Sequence, residues 1–259
     1  MKPRSLIFLV WFGVIVLGSR LPAAQPHTTE VELWIQEARA AERRFDPQTA
    51  LEKLLQVEQR HPEDAHVLQA ISRQYSDSTV SEPSAEKRRA LSEKALIYSQ
   101  RAHDLDPRNP VYTLSLAICY GKLGLYGSNQ ERVSNARLVR KYAEEALALN
   151  PSYDWAHHVL GRWHYEVTEL GGTKRFFAGM LYGGLPKASL AEAAFHLEKA
   201  VELSPNIAAH HIELGYVLLA QGKTKEARLH FERGLALPSQ DINDEACKRR
   251  ARSAIASLP

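Results

Sequence analysis

The sequence predicts an all-α fold, a helical solenoid of about five helix-turn-helix pairs closed by a C-terminal capping helix. Three observations predict it. A trio of residues falls 12, 8 and 5 positions before successive prolines, as Ala193, Leu197 and Ala200 do before Pro205. A second trio falls 9, 10 and 13 positions after the preceding proline, as Leu160, Gly161 and His164 do after Pro151. The prolines at 62, 107, 151 and 205 recur along the chain. Small residues let two helices approach closely, a large one fills the space between them, and proline stops the second helix.

The amino terminus follows different rules. Lys2 and Arg4 precede an apolar run, Leu6 to Leu17, followed by Gly18-Ser19-Arg20 and Leu-Pro-Ala-Ala. A basic start, an apolar core of about 12 residues and small residues behind it describe a signal peptide over 1–24, cleaved after Ala23 or Ala24. The run falls short of the roughly 20 residues of a membrane span. Export, periplasmic or secreted, is therefore expected for a repeat domain over 25–259; the alternative is membrane anchoring through the same segment. Without Lys2, Arg4 and Arg20 the 33 basic residues fall to 30, against 30 acidic ones. A neutral mature chain gives no reason to expect a nucleic-acid partner. Its two cysteines, Cys119 and Cys247, form no disulfide framework. Cys119, within ICYG, reads as a buried thiol.

The first helix runs from Glu30 to Arg44 with Trp34, Ala38 and Ala41 on one face. Asp46-Pro47 opens its partner, which carries Ala50, Leu54 and Val57 before Pro62. Ile71, Ser72 and Tyr75 belong to the third helix, and Ala95, Ser99 and Ala102 to the fourth, before Pro107. Leu116, Ala117 and Tyr120, then Val139, Ala143 and Ala146, repeat the register before Pro151. The fourth unit follows, and the fifth carries Leu214, Gly215, Leu218, Ala227, Phe231 and Gly234. A last helix from Asp241 to Leu258 is expected to cap the stack, with Lys248, Arg249, Arg250 and Arg252 facing outward. Units two, three and four exceed the repeat length of about 34 residues, and the surplus is expected between the two helices of each pair, largest at about 168–187 in unit four.

LGYVLLAQGKTKEARLHFERGLAL (214–237) and its fainter copies resemble tetratricopeptide repeats. HHVLGRWHYEV (157–167), the insertion with Phe176-Phe177 and Gly183-Gly184-Leu185-Pro186, AEAAFHLEKAVELSP (191–205) and ICYGKLG (118–124) are similar to the regulator of microtubule dynamics family. That resemblance covers roughly 65–258 and implies a solenoid without catalysis. It further implies association with microtubules or mitochondrial contact sites, as in animal members, and phospholipid binding and transfer, as in the repeat domain of one such tether.

The first helix of each pair should line the concave side. Positions 4, 7, 11 and 14 after each proline then supply the floor. In unit four these are Trp155, His158, Arg162 and Tyr165; Ile212 and Tyr216 come from unit five, Ile118 from unit three and Arg73 from unit two. The floor is expected to run from polar in unit two to apolar and aromatic beyond it. Three occupants are open: the insertion's own Phe176, Phe177, Met180 and Leu181; a protein or peptide partner anchored on Trp155, Tyr165 and Arg162; or an acyl chain with Arg162 or Lys174 near its head group. Lys174, Phe176 and Phe177 also suit a membrane surface, and a short helix tucked against unit four is the plainer alternative.

No catalytic nucleophile pattern is present, and Gly171-Gly172-Thr173-Lys174 lacks the spacing of a phosphate loop. No enzyme activity and no cofactor are expected. Among eleven histidines, His157 and His211 share one repeat position, and His196 and His230 share another. Equivalent histidines read as repeated packing environments. His157 and His164 lie two turns apart instead of the one turn of a helical metal pair, so no metal site is expected. The function that follows is a non-enzymatic scaffold holding a protein partner in its groove in the cell envelope; the alternatives are a lipid or hydrophobic-ligand carrier and, as the resemblance implies, a microtubule- or membrane-contact-associated protein.

Overall fold

A computed structural model describes residues 29–258, except for the side chains of 174–177. The segment read as a signal peptide, 1–24, and the side chains of Lys174, Phe176 and Phe177 therefore lie outside the described residues. Every regular element among those residues is a helix. Unit one pairs α1 (Thr29–Glu42) with α2 (Pro47–Arg60), and unit two pairs α3 (Ala65–Ser78) with α4 (Ala85–Leu105). Unit three pairs α5 (Pro110–Tyr126) with α6 (Asn129–Leu149). Unit four pairs α7 (Asp154–Glu169) with α9 (Leu190–Leu203), and the insertion between them forms α8 (Gly171–Tyr182). Unit five pairs α10 (Ala208–Ala220) with α11 (Thr224–Ala236), and α12 (Asp244–Ser257) follows.

Each boundary has a local cause. Asp46, Asp64, Ser84, Asn109, Ser128 and Ser189 each accept a backbone N–H in the first turn of the helix they open. At the other end the residue before each proline leaves the helical region, with φ of −133° at His61, −144° at Asp106, −143° at Asn150 and −140° at Ser204. Proline disfavours a helical predecessor, and that residue's N–H still reaches the carbonyl four residues back, at Val57, Ala102, Ala146 and Ala200. The fifth residue before proline thus serves twice: it packs inward and receives the last bond of the helix.

The predicted trios pack as neighbours. Ala193, Leu197, Ala200, Ala227 and Phe231 are fully buried. A Cβ on Gly161 would stand 2.5 Å from Leu197 Cγ, one on Gly215 2.6 Å from Phe231 Cε1, and one on Gly234 2.6 Å from Ile212 Cγ1. These separations are below contact distance, so the helices touch because no side chain intervenes. In units two and three the surplus residues lengthen helices rather than form loops: α4 and α6 have 21 residues each, against 14 in α2. The insertion does form a helix, but it is tied to unit three, not tucked against unit four. Arg137 of α6 donates from Nε to the Gly184 carbonyl at 2.8 Å and also bonds the Tyr182 carbonyl. Met180 and Leu181 are exposed, so they do not fill the groove.

The carboxyl end departs from the expected open cap. Lys248 is buried, donating to the Leu237 carbonyl at 2.6 Å and to Ser239 Oγ at 3.0 Å, and Arg250 turns onto Glu213 at 3.2 Å. Arg249 and Arg252 remain on the outer face. The loop before α12 reaches the first units: Asp241 lies 3.6 Å from Arg73 of α3. Ile242 shares a small pocket with Phe45, Pro47 and Gln74. Phe45 has a φ of 57°, a left-handed conformation costly for a bulky residue. No described helix is long and apolar enough to cross a membrane.

Close approach sets the first expectation. Gly161→Ala and Gly215→Ala each lower stability by about 1–3 kcal/mol through overpacking, read as a reduced urea midpoint. Gly179→Ala, whose Cβ meets nothing within 4 Å, leaves it unchanged or slightly raised.

Candidate functional site

The first helices α3, α5, α7 and α10 adjoin one another and line the inner side. Most of their surface is spent on packing, because each helix is flanked by its partner and by the neighbouring pairs. Val111 and Ile118 of α5 remain exposed. Trp155, Arg162 and Tyr165 of α7 and Tyr216 of α10 are half-buried. Ile212 is fully buried against Gly234 and the rest of the unit-five core, so it offers nothing to a partner. His158 is also buried. Of the expected floor residues, then, α5 and α7 bring Ile118, Trp155, Arg162 and Tyr165 to the inner surface with Tyr216, while Ile212 and His158 are structural.

Units three to five supply the accessible apolar and aromatic side chains, Val111, Ile118, Trp155, Tyr165 and Tyr216, but the floor is not continuously apolar. Two ionic clusters occupy it. In the first, Glu213 of α10, 2% exposed, stands between Arg162 Nε at 3.8 Å and Arg250 Nη1 at 3.2 Å. Arg162 also holds Glu166 at 2.7 Å one turn away. Glu213, and then Glu166, raise the Arg162 pKa against the opposing pull of burial. Arg250 lies over the Tyr216 ring at 4.6 Å, which joins the capping helix to the floor. In the second cluster Arg73 approaches Asp77 and Asp241, each at 3.6 Å. Lys122 of α5 donates to the Ser76 carbonyl at 2.7 Å. Burial, then the nearby Asp241, push the Asp77 carboxyl up to about 6, while burial pulls the Lys122 ammonium down.

Sequence reasoning missed Glu213, Lys122, Asp77 and Asp241. Glu213 carried a signal, as a lone acid between Ile212 and Leu214 in the most apolar first helix. Asp241 carried none, because its partner lies 168 positions away in sequence.

The histidines form couples. His157 Nε2 lies 3.1 Å from the Pro151 carbonyl and its Nδ1 lies 2.9 Å from His196 Nδ1. One unit later His211 repeats both contacts, at 3.0 Å to the Pro205 carbonyl and 3.1 Å to His230 Nδ1. A carbonyl only accepts, so in each couple the inner histidine carries its proton on Nε2 and accepts at Nδ1. A third couple joins His158 and His210 at 3.0 Å, with His210 Nε2 at 3.2 Å from Asp154. Burial pushes the Asp154 carboxyl up, but hydrogen bonds from His210 and Ser204 outweigh it and the net displacement is downward. Cys119 is buried, its Sγ 3.5 Å from Ser72 Oγ, and both cysteines are free.

A family model described as regulator of microtubule dynamics protein 1-3 matches residues 34–259. Regulator of microtubule dynamics protein 1 of Bos taurus is 30% identical over 204 residues, 77% of this chain and 64% of that protein. The Mus musculus protein of the same name is 26% identical over 211 residues, 80% of this chain and 69% of its own length. Among solved structures, a thermophilic TPR protein of Thermus thermophilus superposes with a TM-score of 0.62 at 18% identity, covering 88% of this chain and 97% of that one. At that identity the likeness concerns the fold alone.

The couples make stability depend on pH. Burial, the largest cause in each case, holds His158, His211 and His230 below the ordinary histidine value. Below about pH 6.5 the unfolded chain therefore binds more protons than the folded one, and stability falls as pH drops. Asp77 acts in the opposite sense, since its folded form takes up a proton between 3.8 and about 6. Three histidines outweigh one carboxyl, so the urea midpoint falls between about pH 7.5 and about pH 5. The double variant His211→Thr/His230→Tyr installs the pair that unit three carries at the same positions, Thr113 and Tyr142. Its midpoint changes less over that interval; an unchanged slope would show that this couple does not carry the effect.

Proposed function

The chain belongs to the regulator of microtubule dynamics family, and from that premise we propose that it is a non-enzymatic scaffold holding a protein partner along its inner face. The observation that carries this reading is the composition of the inner surface. Ile118, Trp155, Tyr165 and Tyr216 keep apolar and aromatic surface within reach, beside guanidinium groups fixed by the Glu213 cluster. Aromatic rings and arginines held in place lose little freedom on binding, and such residues supply most of the energy of protein interfaces. Arg162 gives direction through hydrogen bonds to carboxylate or carbonyl groups of the partner, whereas Arg73 is engaged by Asp77 and Asp241 of the chain itself.

The same clusters favour a polypeptide over an acyl chain. A lipid tail laid along this floor would strip water from the part-exposed guanidinium groups of Arg162 and Arg250 without replacing its hydrogen bonds, which is costly. A peptide replaces them. Export of the mature chain is supported by Lys2, Arg4 and the apolar run from Leu6 to Leu17, and it directs the search for a partner to the cell envelope. The relatives' printed name concerns microtubules, so a tubulin partner is the outcome to be tested against.

Two measurements decide between them. Amino-terminal sequencing of the protein recovered from its cells yields a chain beginning at Ala24 or Gln25; an intact Met1, with co-sedimentation on polymerised tubulin, would sink the envelope assignment. Crosslinking in cells followed by mass spectrometry maps partner peptides to α5, α7 and α10. Ile118→Glu combined with Val111→Glu, both at exposed positions of α5, reduces that capture at least about tenfold while leaving the thermal midpoint near that of the unmodified protein. Capture unchanged in the variant would place the partner elsewhere on the molecule.

A further inference from the structure

We propose that unit four contains a divalent metal site of the zinc class, with His164 of α7 and Glu192 and His196 of α9 as its three protein ligands. One donor atom from each lies within 4.8 Å of the other two. A tetrahedral zinc ion with bonds of about 2.0–2.1 Å keeps its donors about 3.3 Å apart. The two imidazole rings lie 16° from parallel with centroids 5.9 Å apart, so His164 and Glu192 must turn toward His196, which its bond to His157 holds in place, to close the set. Glu192 and His196 are one turn apart on the same face of α9, the arrangement in which a helix presents two ligands to one ion. The third ligand comes from the facing helix. This is why spacing within α7, where His157 and His164 are two turns apart, did not reveal it.

Two independent features point to a ligand. First, His164 is 6% exposed and its Nδ1 is buried with no hydrogen-bond partner among the described residues. A buried nitrogen left unpaired is costly, and a metal ion would satisfy it. Second, the protonation of His196 is set from behind. The Pro151 carbonyl fixes the His157 proton on Nε2, which leaves His157 Nδ1 to accept from His196 Nδ1–H at 2.9 Å. His196 therefore keeps its lone pair on Nε2. Metal-binding histidines are held in the same way, with the second ring nitrogen donating to a fixed acceptor. Imidazole, imidazole and carboxylate form a donor set suited to zinc, and the solvent-exposed Glu192 side leaves a fourth position for water. Arg140, the nearby cation, is engaged by Glu144 at 2.6 Å and lies over Trp163 at 5.2 Å.

The next repeat is an internal comparison. His211 and His230 reproduce the His157–His196 couple, and Glu226 precedes His230 by one turn as Glu192 precedes His196. The position of His164 is taken by Leu218. Unit five thus has the supporting couple and two possible donors without the third. The difference falls in the unit that benefits from a tie: α10 and α11 are joined by a short turn, whereas the whole of α8 separates α7 from α9. A metal shared by α7 and α9 closes that long connection from the side.

The test uses the full chain without a polyhistidine tag, stripped with a chelator and titrated with zinc ion against a chromophoric chelator. One equivalent binds saturably, and the thermal midpoint rises with it. His164→Leu, which copies unit five, and Glu192→Gln, a change at an exposed position, each weaken binding more than about a hundredfold, while His157→Leu, behind the ligands, weakens it about 10–100-fold. His230→Leu leaves both stoichiometry and affinity unchanged. Absence of saturable binding below about 100 μM, retention of affinity in either ligand variant, or loss of it in His230→Leu overturns the assignment.

Discussion

The fold depends on how closely the two helices of each pair can approach. Gly161 against Leu197, Gly215 against Phe231 and Gly234 against Ile212 leave no room for a methyl group. At that spacing a single large side chain fills the seam, and adjacent pairs stack without voids. Proline completes the constraint by stopping the second helix one position after its last bond to Val57, Ala102, Ala146 or Ala200. Beyond that seam each first helix also meets those of the neighbouring units, α3 with α5, α5 with α7 and α7 with α10. The inner surface is therefore narrow and lined by few side chains.

This narrowness explains why charge gathers there. Glu213 on α10, Arg162 on α7 and Arg250 on α12 come from three elements and meet at one buried carboxylate. A buried ion pair adds little net stability compared with apolar packing, but removing one partner from it is costly. The clusters thus specify how α12 and the loop at Asp241 sit on the array more than they strengthen it. Asp77, pushed up to about 6 by burial and then by the nearby Asp241, shows the cost of that arrangement in its own titration.

The helix pairs were legible because their cause is local: a proline, a cap and three small or large residues within a few turns of each other. Surplus residues were legible as a count but not as a shape. Nothing in the run before Lys94 distinguishes a loop from two more turns of α4, since its apolar face is short and its outcome depends on what α3 and α5 leave exposed. The floor was half legible. Ile118, Trp155, Arg162 and Tyr165 follow from register, but the seventh position after proline is buried in units three to five, at Leu114, His158 and Ile212, because the neighbouring helices cover it. The meeting of Arg73 with Asp241 was not foreseeable, since curvature accumulated over four units decides which residues meet.

Curvature also limits what the inner side can hold. The loop through Asp241 and Ile242 already lies against α3 and the α1–α2 turn, so units one and two present a surface that the chain itself covers. Phe45 keeps its left-handed backbone in the same contact, which indicates packing firm enough to hold strain. The free portion of the floor is therefore confined to α5, α7 and α10, where Val111, Ile118, Trp155, Tyr165 and Tyr216 lie. Three helices side by side, at a spacing of about 8–10 Å each, span about 20 Å between the outer axes. An extended segment of about six residues covers that distance at about 3.3 Å per residue, with alternate side chains facing the floor. The apolar residues of α5 and α7 suit two of them, and the Glu213 cluster suits the polar groups between.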